Sequence, residues 1–119
     1  MSKFMLLIHS DSKKWADLGE TEQKEILGEY FAYTQALVDA GAMVSGDPLE
    51  PASAAKSVAQ GGVVTDGPFA DTSEVLGGYY VVDVPDIDAA CEWAAKIPAV
   101  PRGLSRIEVW PVRALPDMQ

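Results

Sequence analysis

Residues 77–90 read Gly-Gly-Tyr-Tyr-Val-Val-Asp-Val-Pro-Asp-Ile-Asp-Ala-Ala, and this stretch sets the pattern of the fold. Tyrosine and valine within 79–84 favour a β-strand, and Pro85 halts it. Asp86 is placed to cap a helix that Pro98 ends. The apolar stripe of that helix is Ile87, Ala90, Cys91, Ala94 and Ile97. The stretch therefore predicts a strand followed at once by a helix, with Cys91 as a small buried hydrophobe.

The start of the chain predicts a second strand of the same kind. Residues 4–8, Phe-Met-Leu-Leu-Ile, are apolar at both alternating sets of positions, and the polar, turn-prone residues 10–12 follow them. Successive side chains of a strand point to opposite faces of the sheet. Both faces of this strand and of 79–84 are therefore expected to be covered.

The longest predicted helix spans residues 21–40, with Thr21 as its N-cap and Gly41 in the position that ends it. Its apolar side chains recur at spacings of three and four, so we expect that face to lie on a sheet. They are Leu27, Phe31, Thr34, Leu37 and Val38. A further strand is predicted directly afterwards, at 42–45.

The rest of the chain adds a hairpin and a last strand. Residues 55–58 and 63–65 flank the glycine pair 61–62, which tolerates the positive φ angles of a tight turn. Residues 104–111 alternate between two faces. Without the hairpin the order is βαββαβ, the split motif of ferredoxin-like folds. We expect one α+β domain over 1–119, in which both helices cover one face of an antiparallel sheet.

The second face of that sheet predicts an oligomer. If both helices lie on one side, the apolar side chains on the other side need a different cover. A second copy of the chain is the simplest cover, because sheet-on-sheet packing about a two-fold axis is self-complementary. We therefore expect a homodimer formed through the sheet face.

Composition excludes several classes of function. The 119 residues carry a formal net charge of −9, and the nine basic residues are scattered rather than clustered. Such a surface repels phosphate backbones and anionic membranes, so nucleic-acid and membrane binding are not expected. A single cysteine allows no intrachain disulfide, and no apolar run is long enough for a membrane span. We expect a cytoplasmic protein.

One segment is similar to a known family. Residues 64–80 read Val-Thr-Asp-Gly-Pro-Phe-Ala-Asp-Thr-Ser-Glu-Val-Leu-Gly-Gly-Tyr-Tyr. In this signature the chain resembles the DGPF-domain branch of the YCII-related family. The similarity covers nearly the whole chain, and continues through 4–8, 83–90, 92–95, 97–99 and 108–112.

The resemblance implies a dimeric α/β barrel and a domain of unknown function. Members of the branch are often encoded beside extracytoplasmic-function sigma factors, which implies a link to regulation. Related YCII proteins carry a proposed His–Asp pair, with the histidine on the first helix and the aspartate after the second. Here 21–40 holds no histidine, and Ile-Pro-Ala at 97–99 replaces the acidic motif. That pair therefore does not carry over.

His9 is the sole histidine and is the first candidate catalytic residue. It lies at the end of the first strand, in phase with Met5 and Leu7, hence near the mouth of any cavity between protomers. Histidine is the side chain whose ordinary pKa suits proton transfer near neutral pH. The alternative is a strand-end histidine that hydrogen-bonds a backbone group or water.

The segment 66–74 supplies the other candidates. Asp66 is predicted to be a pocket carboxylate opposite His9, although Asp-Gly-Pro also has a purely structural explanation as a turn. The loop is longer than most connections, which favours a functional role. The predicted ligand contacts are Gly67, Pro68, Phe69, Glu74 and Tyr79.

No metal and no cofactor are expected. Asp71 and Glu74 lack the alternating acidic pattern of a calcium loop, and no histidine or cysteine lies near them for zinc or iron. Five aromatic residues could line a ligand pocket or pack in the core, and aromatic residues at such spacings more often belong to the core. They are Tyr30, Tyr33, Tyr79, Tyr80 and Trp110.

Two functions follow from these observations. The first is a dimeric protein that binds a small organic ligand near His9 and Asp66, with or without cofactor-free catalysis. The alternative is a non-catalytic regulatory or interaction module that serves a sigma factor or another protein. The residues do not decide whether the protein is an enzyme.

Overall fold

A computed structural model describes residues 1–68 and 74–116, and the predicted ligand contact Phe69 and the loop residue Asp71 lie outside these ranges. Within them the chain forms six strands and three helices. In chain order they are β1 (Ser2–Asp11), α1 (Ser12–Ala16), α2 (Glu20–Asp39), β2 (Met43–Pro48), β3 (Lys56–Ala59), β4 (Val63–Asp66), β5 (Glu74–Val84), α3 (Ile87–Ala95) and β6 (Ser105–Pro111).

The strands build an antiparallel sheet in the order β2-β5-β1-β6. The register sets Leu6 of β1 opposite Tyr80 of β5 and Val109 of β6. In the described part of the chain β3 and β4 pair only with each other, as a separate two-stranded sheet. The α+β, ferredoxin-like arrangement with an extra hairpin is confirmed.

The core lies between the sheet and two helices, α2 and α3. Along β1 the buried residues Phe4, Leu6 and Ile8 alternate with half-buried ones, as a period of two requires. They pack in one cluster with residues of β5 and of both helices, namely Tyr80, Val82, Val84, Tyr33, Leu37, Ala90 and Ala94. Both helices thus cover the same face, as predicted. Full burial of a side chain such as Leu6 contributes about 1.5–3 kcal/mol.

The predicted sheet-facing stripe of α2 is confirmed at Leu37, which is buried, and at Thr34, whose Oγ1 lies 2.9 Å from the hydroxyl oxygen of Tyr80. It is wrong at its other members. The buried residues of α2 are Ile26, Tyr33 and Leu37. The predicted members Leu27, Phe31 and Val38 are 55%, 71% and 52% exposed. Both sets have helical spacing, and α2 is rotated so that the tyrosine-bearing set faces the sheet. Tyr33 is suited to this place because its hydroxyl donates to the backbone oxygen of Trp93 at 2.8 Å.

The ends of the first two helices differ partly from the prediction. The turn expected at residues 10–12 instead starts α1, whose N-cap Asp11 accepts hydrogen bonds from the backbone nitrogens of Lys13 and Lys14. The N-cap of α2 is Gly19 rather than Thr21. The predicted stop at Gly41 is confirmed, with a φ angle of +70° after the C-cap.

The prediction for α3 is confirmed at its start and wrong for two residues of its apolar stripe, Cys91 and Ile87, of which Ile87 is 44% exposed. The Asp86 side chain caps the helix by accepting from the Ala89 nitrogen at 2.8 Å. Cys91 is exposed instead of buried, and only Ala90 and Ala94 within α3 are buried. Fewer residues of α3 are buried than the five-residue apolar stripe predicted.

The side of the sheet turned away from α2 and α3 is here called the open face. It carries the odd-numbered residues of β1 and their neighbours in register on β5 and β6: Met5, Leu7, His9, Tyr79, Val81, Asp83, Arg106, Glu108 and Trp110. Met5, Leu7 and Val81 are half-buried, and Trp110 is 56% exposed. The described residues thus leave an apolar band of the sheet uncovered.

Candidate functional site

The polar residues of the open face gather where β1 ends. The β1–β5 register shifts between Ile8 and His9, so that His9 lies opposite Leu76 of β5. On its other side His9 lies opposite Arg106 of β6. Residues directly opposite in a sheet share a face. His9 is therefore held on the open face, at the end of the apolar band that Met5 and Leu7 begin.

His9 has a carboxylate partner, Glu108 of β6. The Nε2 atom of His9 lies 2.8 Å from Oε1 of Glu108, and their side chains are 30% and 55% exposed. When the imidazole is neutral, this contact fixes the tautomer with the proton on Nε2. Nδ1 then keeps its lone pair, so the pair is arranged to accept a proton at Nδ1 and to hold the imidazolium that results.

A second ion pair lies beside the first. Arg106 Nε and Nη2 donate to the two carboxylate oxygens of Glu74 at 2.8 and 2.7 Å. This hydrogen bonding raises the pKa of Arg106. Arg106 and Glu108 share a strand face, as the alternation of β6 indicated, but each has its own partner: Glu74 for the arginine and His9 for the glutamate.

Tyr79 forms the third polar contact of the open face. Its hydroxyl donates to Oδ2 of Asp47 on β2 at 2.9 Å, and this hydrogen bond raises the pKa of the phenol. The residues are direct partners across the β2–β5 ladder. Tyr79 therefore lies on the face where the ligand was predicted, whereas Tyr33 and Tyr80 are buried in the core.

Asp66 forms an ion pair with Lys56 and not with His9. Its Oδ1 accepts from Nζ of Lys56 at 2.6 Å, across the β3–β4 ladder, and its side chain is 88% exposed. The next residue, Gly67, has a φ angle of +86° and closes the hairpin base through hydrogen bonds to Ala55 and Ser57. The structure thus gives Asp66 and His9 separate partners and does not join them in a hydrogen bond.

Two clefts flank the His9 end of the open face. One, of about 380 Å³, is mostly apolar and brings the predicted contact Pro68 next to Leu76, the cross-strand neighbour of His9. Its remaining lining residues are Leu49, Glu50, Pro51, Ala52, Ala54, Ala55 and Val75. The other, of about 140 Å³, is polar and includes Glu74 and Arg106. A ligand on the open face would therefore have apolar and charged surroundings within reach.

Over 1–68 and 74–116 no three histidine, cysteine, aspartate or glutamate side chains come together as a metal site would need. No helix there is long and apolar enough to cross a membrane.

Glu108 and Asp47 were missed as site residues by the sequence reasoning. Glu108 lies 99 positions from His9, and the two meet only through the β1–β6 register. Asp47 belongs to a strand predicted to end before it. The only sequence signal for Glu108 was the alternation of residues 104–111. It places Glu108 and Arg106 on one face but does not predict which residue either of them contacts.

Comparison with known proteins adds the family. A family model described as a YCII-related domain matches residues 2–113. The chain belongs to the YCII-related family. An uncharacterised protein of Rhizobium meliloti (strain 1021) is 26% identical to this YCII-related protein over 112 residues, which cover 92% of the chain and 90% of that protein. The resemblance to the family is confirmed, and the narrower assignment to the DGPF branch stays a prediction.

Proposed function

We propose that this YCII-related protein is a homodimer that binds a small organic ligand on the open face of its sheet, with His9 and Glu108 as the proton-transfer pair. The observation that carries the proposal is the 2.8 Å contact between His9 Nε2 and Glu108 Oε1 at the end of an apolar band. Apolar surroundings with a few placed polar groups are typical of small-molecule sites.

The dimer is supported by the difference in burial between the two faces of the sheet. One face of β1 and β5 is sealed by α2 and α3, while Met5, Leu7 and Val81 on the other remain half-buried. If the same face of a second copy covered these residues, the apolar surface of both copies would be removed from water. Two open faces meeting in this way would form a barrel whose cavity contains His9 from each copy.

The chemistry proposed for the pair is proton transfer without a cofactor. Nδ1 of His9 takes a proton from the ligand, and Glu108 stabilises the imidazolium through the proton held on Nε2. In this proposal Glu108 takes the carboxylate role predicted for Asp66. The reason is that Asp66 is already paired with Lys56 at 2.6 Å.

Thermal shift against a metabolite library tests the proposal, with wild type, His9→Ala, Glu108→Gln and Asp66→Asn measured side by side. We expect compounds that stabilise the wild type to lose most of their effect in the first two variants and to keep it in Asp66→Asn. Equal stabilisation of all four proteins by the same compounds would show that His9 and Glu108 do not bind the ligand. A loss confined to Asp66→Asn would instead support the predicted role of Asp66.

One observation favours the alternative, a regulatory interaction module. Leu27, Phe31 and Val38 form an exposed apolar stripe along α2, between 52% and 71% accessible. Exposed apolar patches of this kind mark protein-binding sites. If a sigma factor is encoded beside the gene, we expect the purified factor to bind the wild type and to bind Leu27→Ser/Phe31→Ser at least tenfold more weakly, about 1.4 kcal/mol. Equal binding of both proteins would reject this module.

A further inference from the structure

One row of residues crosses the open face from β2 to β6. In register order it consists of Asp47, Tyr79, Leu7 and Glu108. Residues that are direct partners share a face of the sheet. Neighbouring strands lie about 4.8 Å apart, so about 10 Å separates the Cα atoms of Tyr79 and Glu108. The row therefore has a polar pair at each end, Asp47 with Tyr79 and Glu108 with His9, and the apolar Leu7 between them.

Both polar pairs present hydrogen-bond acceptors to a ligand. The hydroxyl of Tyr79 donates to Asp47, and this hydrogen bond raises the pKa of the phenol. The phenol therefore keeps its proton at neutral pH, and its oxygen is left to accept. When His9 is neutral, its Nε2 donates to Glu108 and its Nδ1 is left to accept. A ligand that satisfies both ends of the row therefore brings a hydrogen-bond donor to each.

The row carries more negative than positive charge. Within residues 1–68 and 74–116, neither Asp47 nor Glu108 forms an ion pair with a lysine or an arginine. The nearest row of β6 holds Arg106, which donates to both carboxylate oxygens of Glu74. One guanidinium does not balance these three carboxylates. On a chain of net charge −9, such a face attracts cations and repels anions.

The far end of the open face agrees with this preference. Lys3 lies opposite Asp83, so the charges at that end of β1 balance. Trp110 lies opposite Met5 and is 56% exposed. The face of an indole ring attracts a ligand cation and stacks on an aromatic ring. The open face thus offers apolar surface, hydrogen-bond acceptors and negative charge together.

We propose that the ligand of the open face is a small organic amine, whose ammonium group binds at Asp47 and the oxygen of Tyr79 while its apolar part lies on Leu7. The proposed amine rests on the proposed ligand site and names the chemical class that the site takes. The group that gives its proton to Nδ1 of His9 is the second donor. An organic acid is disfavoured, because its carboxylate would meet acceptors and like charges.

The test measures dissociation constants by calorimetry for three compounds that share a 4-hydroxyphenyl skeleton. They are tyramine, a cation; tyrosol, a neutral alcohol; and 4-hydroxyphenylacetate, an anion. The proteins are wild type, Asp47→Asn and Asp39→Asn. Asp47→Asn removes the charge and keeps an oxygen that accepts from Tyr79. Asp39→Asn removes the same charge from an exposed residue at the end of α2, which covers the other face of the sheet.

We expect tyramine to bind the wild type more tightly than 4-hydroxyphenylacetate does. Its dissociation constant is expected to rise about fivefold or more in Asp47→Asn and to equal the wild-type value in Asp39→Asn. Tyrosol, which carries no charge, is expected to bind wild type and Asp47→Asn alike.

Tyramine binding that is absent from the wild type, or unchanged in Asp47→Asn, would overturn the amine. So would binding of 4-hydroxyphenylacetate that is as tight as that of tyramine. If this acid binds the wild type and loses its binding in His9→Ala, the amine is overturned while the proposed site at His9 stands.

Discussion

At the scale of single residues, Gly46 of β2 occupies a place that has no room for a side chain. A Cβ there would lie 2.6 Å from Cδ1 of Tyr80 and 2.9 Å from the backbone oxygen of Tyr79. We expect Gly46→Ala to lower the free energy of unfolding by about 1–3 kcal/mol, because overpacking forces the ring and the strand apart. Denaturant unfolding measures it.

The matched control is Gly28→Ala, inside α2, where a Cβ meets nothing within 4 Å. Alanine is the better helix former there, so we expect a gain of about 0.5–1 kcal/mol. Equal effects of the two substitutions would contradict the close approach of β2 to Tyr80.

The tyrosines predict how stability depends on alkaline pH. Burial raises the pKa of Tyr30 to about 12 and also raises the pKa values of Tyr33 and Tyr80. Above pH about 10 the unfolded chain loses phenolic protons that the folded chain keeps. The folded state then binds more protons, so the free energy of unfolding falls as the pH rises.

Absorbance of the ionised phenol, titrated in native and in denaturant-unfolded protein, measures this difference. We expect the native curve to lie at higher pH. Superimposable curves would show that the tyrosines are not protected by the fold.

The individual residues of the candidate site could be predicted from the sequence only in part. His9 follows from being the sole histidine at the end of an apolar strand, and Tyr79 from its place in β5. The partner Glu108 does not follow, because a cross-strand contact over 99 positions depends on the register between β1 and β6. Asp66 was selected for its loop, but a neighbouring lysine in the same hairpin binds it.

At the scale of elements, the capped start of α3 gives a direct prediction. Asp86→Ala removes the hydrogen bond to the Ala89 nitrogen, and we expect a loss of about 1 kcal/mol in stability. Asp86→Asn keeps an acceptor oxygen, so we expect its loss of stability to be only a small part of the loss in Asp86→Ala. Chemical denaturation of both variants measures the difference, and equal losses would argue against the cap.

The long helix shows why the faces of elements were harder to predict than their positions. Its predicted span, 21–40, differs from the observed Glu20–Asp39 by one residue at each end. Its orientation was wrong because two apolar sets of helical spacing overlap. Tyr30 and Tyr33 look amphipathic in sequence, yet both hydroxyls find backbone partners that allow burial. Tyr33 donates to the backbone oxygen of Trp93, and Tyr30 hydrogen-bonds with the backbone of Ala99.

At the scale of the whole molecule, the order of elements was sufficient to predict the fold. Strand and helix signals gave βαββαβ with a hairpin, and the topology follows because sequential neighbours leave few alternatives. The surroundings of the sheet were less predictable. Two-sided apolar strands led us to expect a cover on the open face, and the second copy that would supply it stays a proposal.

The central claim is that a second copy covers the open face, and sedimentation equilibrium at micromolar concentration tests it most directly. Wild type is expected as a species of about 25 kDa, twice the 12.7 kDa chain. Leu7→Lys, which puts a charge in the centre of the apolar band, is expected as a folded species of 12.7 kDa. A well-folded wild type that sediments at 12.7 kDa over the whole concentration series would contradict the account.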